Sequence, residues 1–145
     1  MSSELIDRSL EAISSDCRYL QQAVLEAEPD HLVARGRFGI PASCYIDDTG
    51  HLNSVEFKLC FNQLIEVLLV QALSLGLSPE LPARRPETRI RALRSVFRRV
   101  IDGRRFEGEL RAPRDLKIGA SHTVLCRFWD DNDGLAEGEV TIDLV

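Results

Sequence analysis

Thr49-Gly50-His51-Leu52-Asn53-Ser54-Val55-Glu56-Phe57 runs on into Cys60-Phe61-Asn62-Gln63-Leu64, and the reading of this stretch decides the fold. Asn53 and Ser54 are both good N-caps, and the apolar residues that follow predict a helix over 53–76. Gly76 suits the position just past its end, and Pro79 blocks continuation. The helix is apolar nearly all round, so it needs to be wrapped by other elements. His51, Asn53, Glu56, Asn62, Gln63 and Glu66 nevertheless sit at its mouth and along its first turns. An unpaired buried polar group costs roughly 1–3 kcal/mol, so a core helix that carries this many is expected to use them.

Outward from this helix, residues 3–24 read as an amphipathic helix, with Leu5, Ile6, Leu10, Ile13, Cys17, Leu20 and Val24 at three-to-four spacing. An N-terminal helical region over 1–28 follows from that. His31–Ile40 alternates like a strand, Ser43–Asp47 reads as a second short one, and Asp47-Asp48-Thr49-Gly50 makes a turn. Pro79, Pro82 and Pro86 mark a loop over 78–88. Beyond it, strands are predicted at Leu93–Ile101, Arg105–Leu110, His122–Trp129 and Glu137–Leu144. The segment 90–100 also fits a helix, and its direct passage through Asp102-Gly103 into another β run favours the strand. Two strands, one long apolar helix and then a run of antiparallel strands make an α+β chain, a curved sheet around one central helix, which is the hot-dog arrangement.

The chain has 145 residues, which predicts one domain over 1–145. Its net charge of −5 argues against a nucleic-acid partner. Asn62, Gln63, Glu66 and Gln71 interrupt the apolar run and argue against a membrane span. The four cysteines, Cys17, Cys44, Cys60 and Cys126, lack CxxC spacing, and the three histidines are scattered. No metal site or cofactor is therefore expected, and free thiols in a reducing cytoplasm are. The N-terminus has no basic start followed by an apolar run, so no signal peptide is expected and the location is read as cytoplasmic.

Asn53 lies where unpaired amides and the positive end of the macrodipole can hold a developing oxyanion. It is equally a plain helix cap, with Glu56 as its capping-box partner. His51 can act as base or donor, or be structural. Asn62 and Glu66, four residues apart, share a face, with Asn62 placed to orient a carbonyl or water and Glu66 to act as a base. Gln63 is a substrate contact or a satisfied core amide. Tyr45 can direct its hydroxyl at the same place. Cys60 reads as a buried hydrophobe. Ten arginines between Arg84 and Arg111, Arg98 and Arg99 among them, are either solvated strand faces or a rim for a phosphopantetheine arm, coenzyme A phosphates or an acidic carrier protein.

Gly50-His51-x-Asn53 with Phe57 and Phe61-Asn62 resembles the signature of hot-dog thioesterases, in which an Asp at the place of Asp47 is often catalytic. The chain is more closely similar to the FcoT-type acyl thioesterases. The resemblance is carried by Cys17-Arg18-Tyr19-Leu20, Tyr45-Ile46, Thr49-Gly50-His51, Asn53, Val55-Glu56, Leu59–Leu64, Phe128-Trp129-Asp130, Gly134 and Gly138-Glu139. It implies hot-dog subunits in homodimers or larger assemblies and acyl thioesters of carrier protein or coenzyme A as substrates. It also implies catalysis by Tyr45, Asn53 and Asn62 without an acyl-enzyme. A further family Tyr falls near Ala12 or Ile13, and this chain has none there, which leaves Tyr19 as its substitute. Some members add glycine to an α,β-unsaturated acyl thioester and then hydrolyse it to an N-carboxymethyl-3-amino acid. That implies His51, Glu56 or Glu66 as base and an Arg from 84–105 on the glycine carboxylate. A plain medium- or long-chain thioesterase, an enoyl hydratase or dehydratase, and a non-catalytic acyl-binding module are the alternatives.

Overall fold

The computed structural model describes residues 2–44 and 50–145, so Tyr45 and Asp47 lie outside the described residues. The central helix, α2, spans Ser54–Leu75. Its N-cap is Asn53, and Gly76 closes it with φ 63° and ψ 33°, a left-handed conformation that Gly adopts without a Cβ penalty. A single antiparallel sheet packs against it. The strands are β1 (Leu20–Ala27), β2 (His31–Phe38), β3 (Thr88–Arg99), β4 (Phe106–Pro113), β5 (Ser121–Trp129) and β6 (Leu135–Leu144). Their order across the sheet is β1-β2-β4-β5-β6-β3, with every neighbouring pair antiparallel.

Alternation along the strands sends one face into the core. Leu32, Ala34 and Phe38 of β2, Leu110 and Ala112 of β4, Val124 and Phe128 of β5, and Val140, Ile142 and Leu144 of β6 are all buried. From the helix, Phe57, Cys60, Phe61, Leu64, Ile65, Val67, Leu68 and Leu69 have no exposed surface. Phe57 meets Phe128 edge to face at 5.0 Å between ring centroids. Burying each such side chain is worth about 1.5–3 kcal/mol. The helix rings fit because the sheet thins beneath them: a Cβ on Gly138 would lie 2.8 Å from Phe57 Cζ and 2.6 Å from the Arg94 carbonyl.

The sheet does not wrap α2 completely. Val55 is 48 % exposed. Lys58 is also exposed, and Leu59, Asn62, Glu66 and Val70 are half-buried on the same side. By length and composition this helix passes for a membrane span, yet half of its most apolar window is buried inside the fold. It is the core helix.

Three expectations change. The N-terminal helix α1 covers only Ser3–Ser9, and after a single 3-10 turn at Ser15–Cys17 the chain is already the edge strand β1 from Leu20. Ser14, Ser15 and Asp16 favour turns over helix interior, and the amides of Tyr19 and Leu20 both donate to Gln63 Oε1, at 2.8 and 2.9 Å. Tertiary pairing overrides the helical spacing. Ser43 and Cys44, expected to open a second short strand, are not in one. Cys17 and Cys44, expected as free thiols, form a disulfide, while Cys60 and Cys126 are free and buried. The fold brings together two cysteines 27 residues apart, a pairing that no local spacing announces. Within the segment 90–100, residues 90–99 are strand, fixed by their ladder to β6.

Candidate active site

Two groups of polar side chains lie on α2. The first is its mouth. Asn53 Oδ1 accepts from the Glu56 N–H at 2.9 Å, and Glu56 Oε1 accepts from the Asn53 N–H at 3.4 Å, a reciprocal capping box. Ser43 donates its hydroxyl to Glu56 Oε2 at 2.6 Å. Glu56 is thus buried at 1 % exposure with both oxygens engaged. The amides of Ser54 and Val55, in the first turn, have no intrahelical acceptor and stand at the positive end of the helix.

The chain entering this mouth is braced from behind. Leu52 N–H donates to the Ile101 carbonyl, Gly103 N–H to the Gly50 carbonyl, and His51 forms a bridge with Asp102. Gly50 has φ 79°. The brace is itself held by Asp130, whose carboxylate accepts from the N–H groups of Asp102 (2.7 Å), Gly134 (2.8 Å) and Asn132 (2.9 Å). Partial burial works to raise the Asp130 pKa, but these three donors outweigh it and hold the carboxyl below its ordinary value. His51 is exposed beside the mouth.

The second group lines a 560 Å³ cavity beside the open stripe of α2. Ala12, Ile13, Leu59 and Pro86 give it apolar walls, with Asn62, Glu66, Arg84 and Arg85 among its polar ones. Glu66 Oε2 accepts from Arg85 at 2.5 and 3.1 Å, and Arg85 also donates to the Ser9 carbonyl at 2.6 Å. The Asn62 side chain makes no hydrogen bond among the described residues. Thr88 Oγ1, in the wall, is buried without a partner among the described residues. Ala12 and Ile13 thus share one cavity with Asn62.

The structure therefore separates residues that the sequence places together. Asn62 lies nine positions along the helix from Asn53, about 13 Å of rise. Gln63 is fully buried. Its Oε1 takes the Tyr19 and Leu20 amides and its Nε2 donates to the Cys17 carbonyl at 2.5 Å, so its polar atoms serve the protein's own backbone. Arg98 lines a different cleft with Arg94, Val96, Leu125 and Arg127. Arg99 donates to the Asp133 carbonyl. Neither arginine reaches the cavity beside Asn62. Ser43 had no motif to announce it, Arg85 was one of ten arginines and Asp130 one residue of the Phe128-Trp129-Asp130 block, and none had a role attached, because their roles arise from contacts between distant segments.

Residues 8–144 match the model of the FcoT-like thioesterase domain. The chain belongs to the FcoT-like thioesterase family. An enzyme of Streptomyces coeruleorubidus named (2E)-enoyl-[ACP] glycyltransferase is 34 % identical, the match covering 97 % of this chain and 95 % of the relative. A protein of the same name from Mycobacterium marinum is 35 % identical over 98 % of this chain and 85 % of its own. Among solved structures, a thioesterase from Pseudomonas aeruginosa superposes with a TM-score of 0.60 at 14 % identity, covering all of this chain and 94 % of that one. A dehydratase heterocomplex from Xenorhabdus doucetiae superposes at 0.64 and 12 % identity, over 97 % and 90 %. These structures share the hot-dog fold. In this FcoT-like thioesterase, then, an amide-rich helix mouth and a cavity with an amide side chain in its wall are the two parts available for thioester chemistry.

Proposed function

We propose that the protein adds glycine to a (2E)-enoyl group carried on an acyl carrier protein and then hydrolyses the thioester. In the first step the glycine nitrogen bonds to C3, the C2–C3 π pair moves onto the thioester carbonyl as an enolate, and the proton lost by nitrogen ends on C2. In the second, water adds to the same carbonyl and the pantetheine thiol leaves, releasing an N-carboxymethyl-3-amino acid. Both steps place negative charge on one oxygen, so one oxyanion site serves both. The observation that carries this reading is the α2 mouth, where the Ser54 and Val55 amides open beside Asn53.

His51, exposed beside the mouth, is the candidate base, while Glu56 is buried in the capping box and Glu66 lies in the separate cavity with Arg85. Arg84, on the cavity wall with no ion pair among the described residues, is the candidate for the glycine carboxylate. Tyr45, outside the described residues, stays a candidate donor. A thioester oxygen cannot touch Asn53 and Asn62 of one helix, so the reading includes a homodimer in which the mouth of one subunit faces the cavity of the other. Among the described residues the twelve-residue strand β3 pairs only with β6, and its other edge is available for a second copy.

The test is incubation with a (2E)-enoyl thioester of carrier protein or coenzyme A, with and without glycine, followed by mass spectrometry. The glycine adduct as free acid is expected. Free enoic acid alone, with glycine present, reduces the activity to plain thioester hydrolysis. An unconsumed thioester removes the reading altogether.

A further inference from the structure

We infer that Gln63 is a positioning residue for the helix mouth rather than a substrate contact; the kinetic part of this inference rests on the function proposed above. Gln63 borders the cavity beside Asn62, but it has no exposed surface. It uses three of its four hydrogen-bonding capacities on one short segment: Oε1 accepts from Tyr19 and Leu20, and Nε2 donates to the Cys17 carbonyl. That segment is in turn tied to Cys44 twice. Cys17 is bonded to it through the disulfide, and the Cys44 amide donates to Tyr19 Oη at 3.1 Å. Tyr19 is 1 % exposed, so its ring cannot swing away without opening the core. Next to Cys44, Ser43 donates to Glu56, the residue that completes the capping box with Asn53.

Residues 43 and 44 are therefore clamped to α2 at two points. One is Glu56 in the first turn. The other is Gln63, two turns further along, acting through Cys17 and Tyr19. A single point would leave the pair free to pivot about Ser43. Two points fix both its distance and its orientation relative to the mouth. The side-chain amide suits this clamp, because one oxygen gathers two N–H donors while one nitrogen meets the Cys17 carbonyl beside the disulfide. A leucine of similar size fills the space and supplies neither.

The test uses Gln63→Leu and Gln63→Glu in the full chain. In Gln63→Leu, kcat for enoyl-thioester turnover is expected to fall at least tenfold with KM within twofold of wild type. In Gln63→Glu, kcat relative to wild type is expected to recover as pH falls, because a protonated carboxyl again offers one accepting oxygen and one donor to the Cys17 carbonyl. The second readout needs no turnover: the native protein is equilibrated with reduced and oxidised glutathione, and the Cys17–Cys44 disulfide is quantified by mass spectrometry after alkylation. Loss of the clamp lowers the effective concentration of the two thiols at least tenfold in Gln63→Leu. A raised KM with kcat intact makes Gln63 a substrate contact and overturns the inference. So does a disulfide equilibrium equal to wild type, or a lowered melting temperature with kcat unchanged. If the wild type turns over no thioester, the proposed function fails, and the disulfide equilibrium alone decides for or against the clamp.

Discussion

Asn53 carries two roles that substitution can separate. Its Oδ1 caps the helix by accepting from Glu56 N–H, and its amide NH₂ is the group proposed to donate to a substrate oxygen. Asn53→Ala removes both. Turnover should fall about 10²–10³-fold, as on removing an oxyanion donor, and stability by about 1 kcal/mol for the lost cap. Asn53→Ser keeps a capping oxygen and loses the amide. Its urea midpoint should stay near wild type while kcat remains at least tenfold down by the same oxyanion argument; recovered turnover would leave Asn53 as a cap only. The buried thiols supply a second residue-scale expectation. Burial raises the Cys60 pKa well above its ordinary value, with Cys126 and Glu56 adding to it, and burial does the same at Cys126. Both thiols should resist alkylation until the protein unfolds. Unfolded thiols ionise from about pH 8.5, and the folded ones stay protonated. The contribution to stability is therefore complete below that pH and declines as pH rises towards the folded values, by up to about 1.4 kcal/mol per pH unit for each thiol. Urea midpoints at pH 8 and pH 10 check the direction, and Cys126→Ala should flatten the slope.

The elements differ in how much of them their own residues determine. Helix α2 is legible because its signals are local: a cap at Asn53, a closing Gly76 and a helix-blocking Pro79. Residues 3–24 are not, because Leu20 and Val24 continue the helical spacing of Leu5 and Leu10 while the amides that end it are claimed by Gln63, more than forty residues away. Segment 90–100 satisfies both patterns, and only its partner β6 chooses. The meeting of α2 with the sheet gives the element-scale test. At Gly138, where β6 passes under the Phe57 ring, Ala would press on a ring and on the Arg94 carbonyl, and backbone cannot yield as a flexible side chain would. Gly138→Ala should cost roughly 1–3 kcal/mol as an overpacked core site. Calorimetry should read this as a melting temperature lower by several degrees.

At the scale of the molecule, the sequence names Asn53, Asn62, Glu66 and the arginine-rich stretch, but not which of them share a space. Arg85 and Arg98 are equivalent in a composition count. The fold gives one to Glu66 beside the helix and sends the other to the cleft beyond. Asn53 and Asn62 look like neighbours in the chain, and helical rise holds them about 13 Å apart. Subunit pairing offers a way to unite them, and it can be tested without a structure of the assembly. Asn53→Ala and Asn62→Ala, each purified alone, should be strongly impaired. When the two are co-expressed and carry different tags, a mixed dimer puts both defects in one site and leaves the other site intact. Random pairing makes half of the dimers mixed, so activity should return to about a quarter of wild type. If each site is built within one chain, every site in a mixed dimer keeps one defect. Mass spectrometry would then find mixed dimers and the assay would find no recovery, and the shared-site arrangement would be excluded.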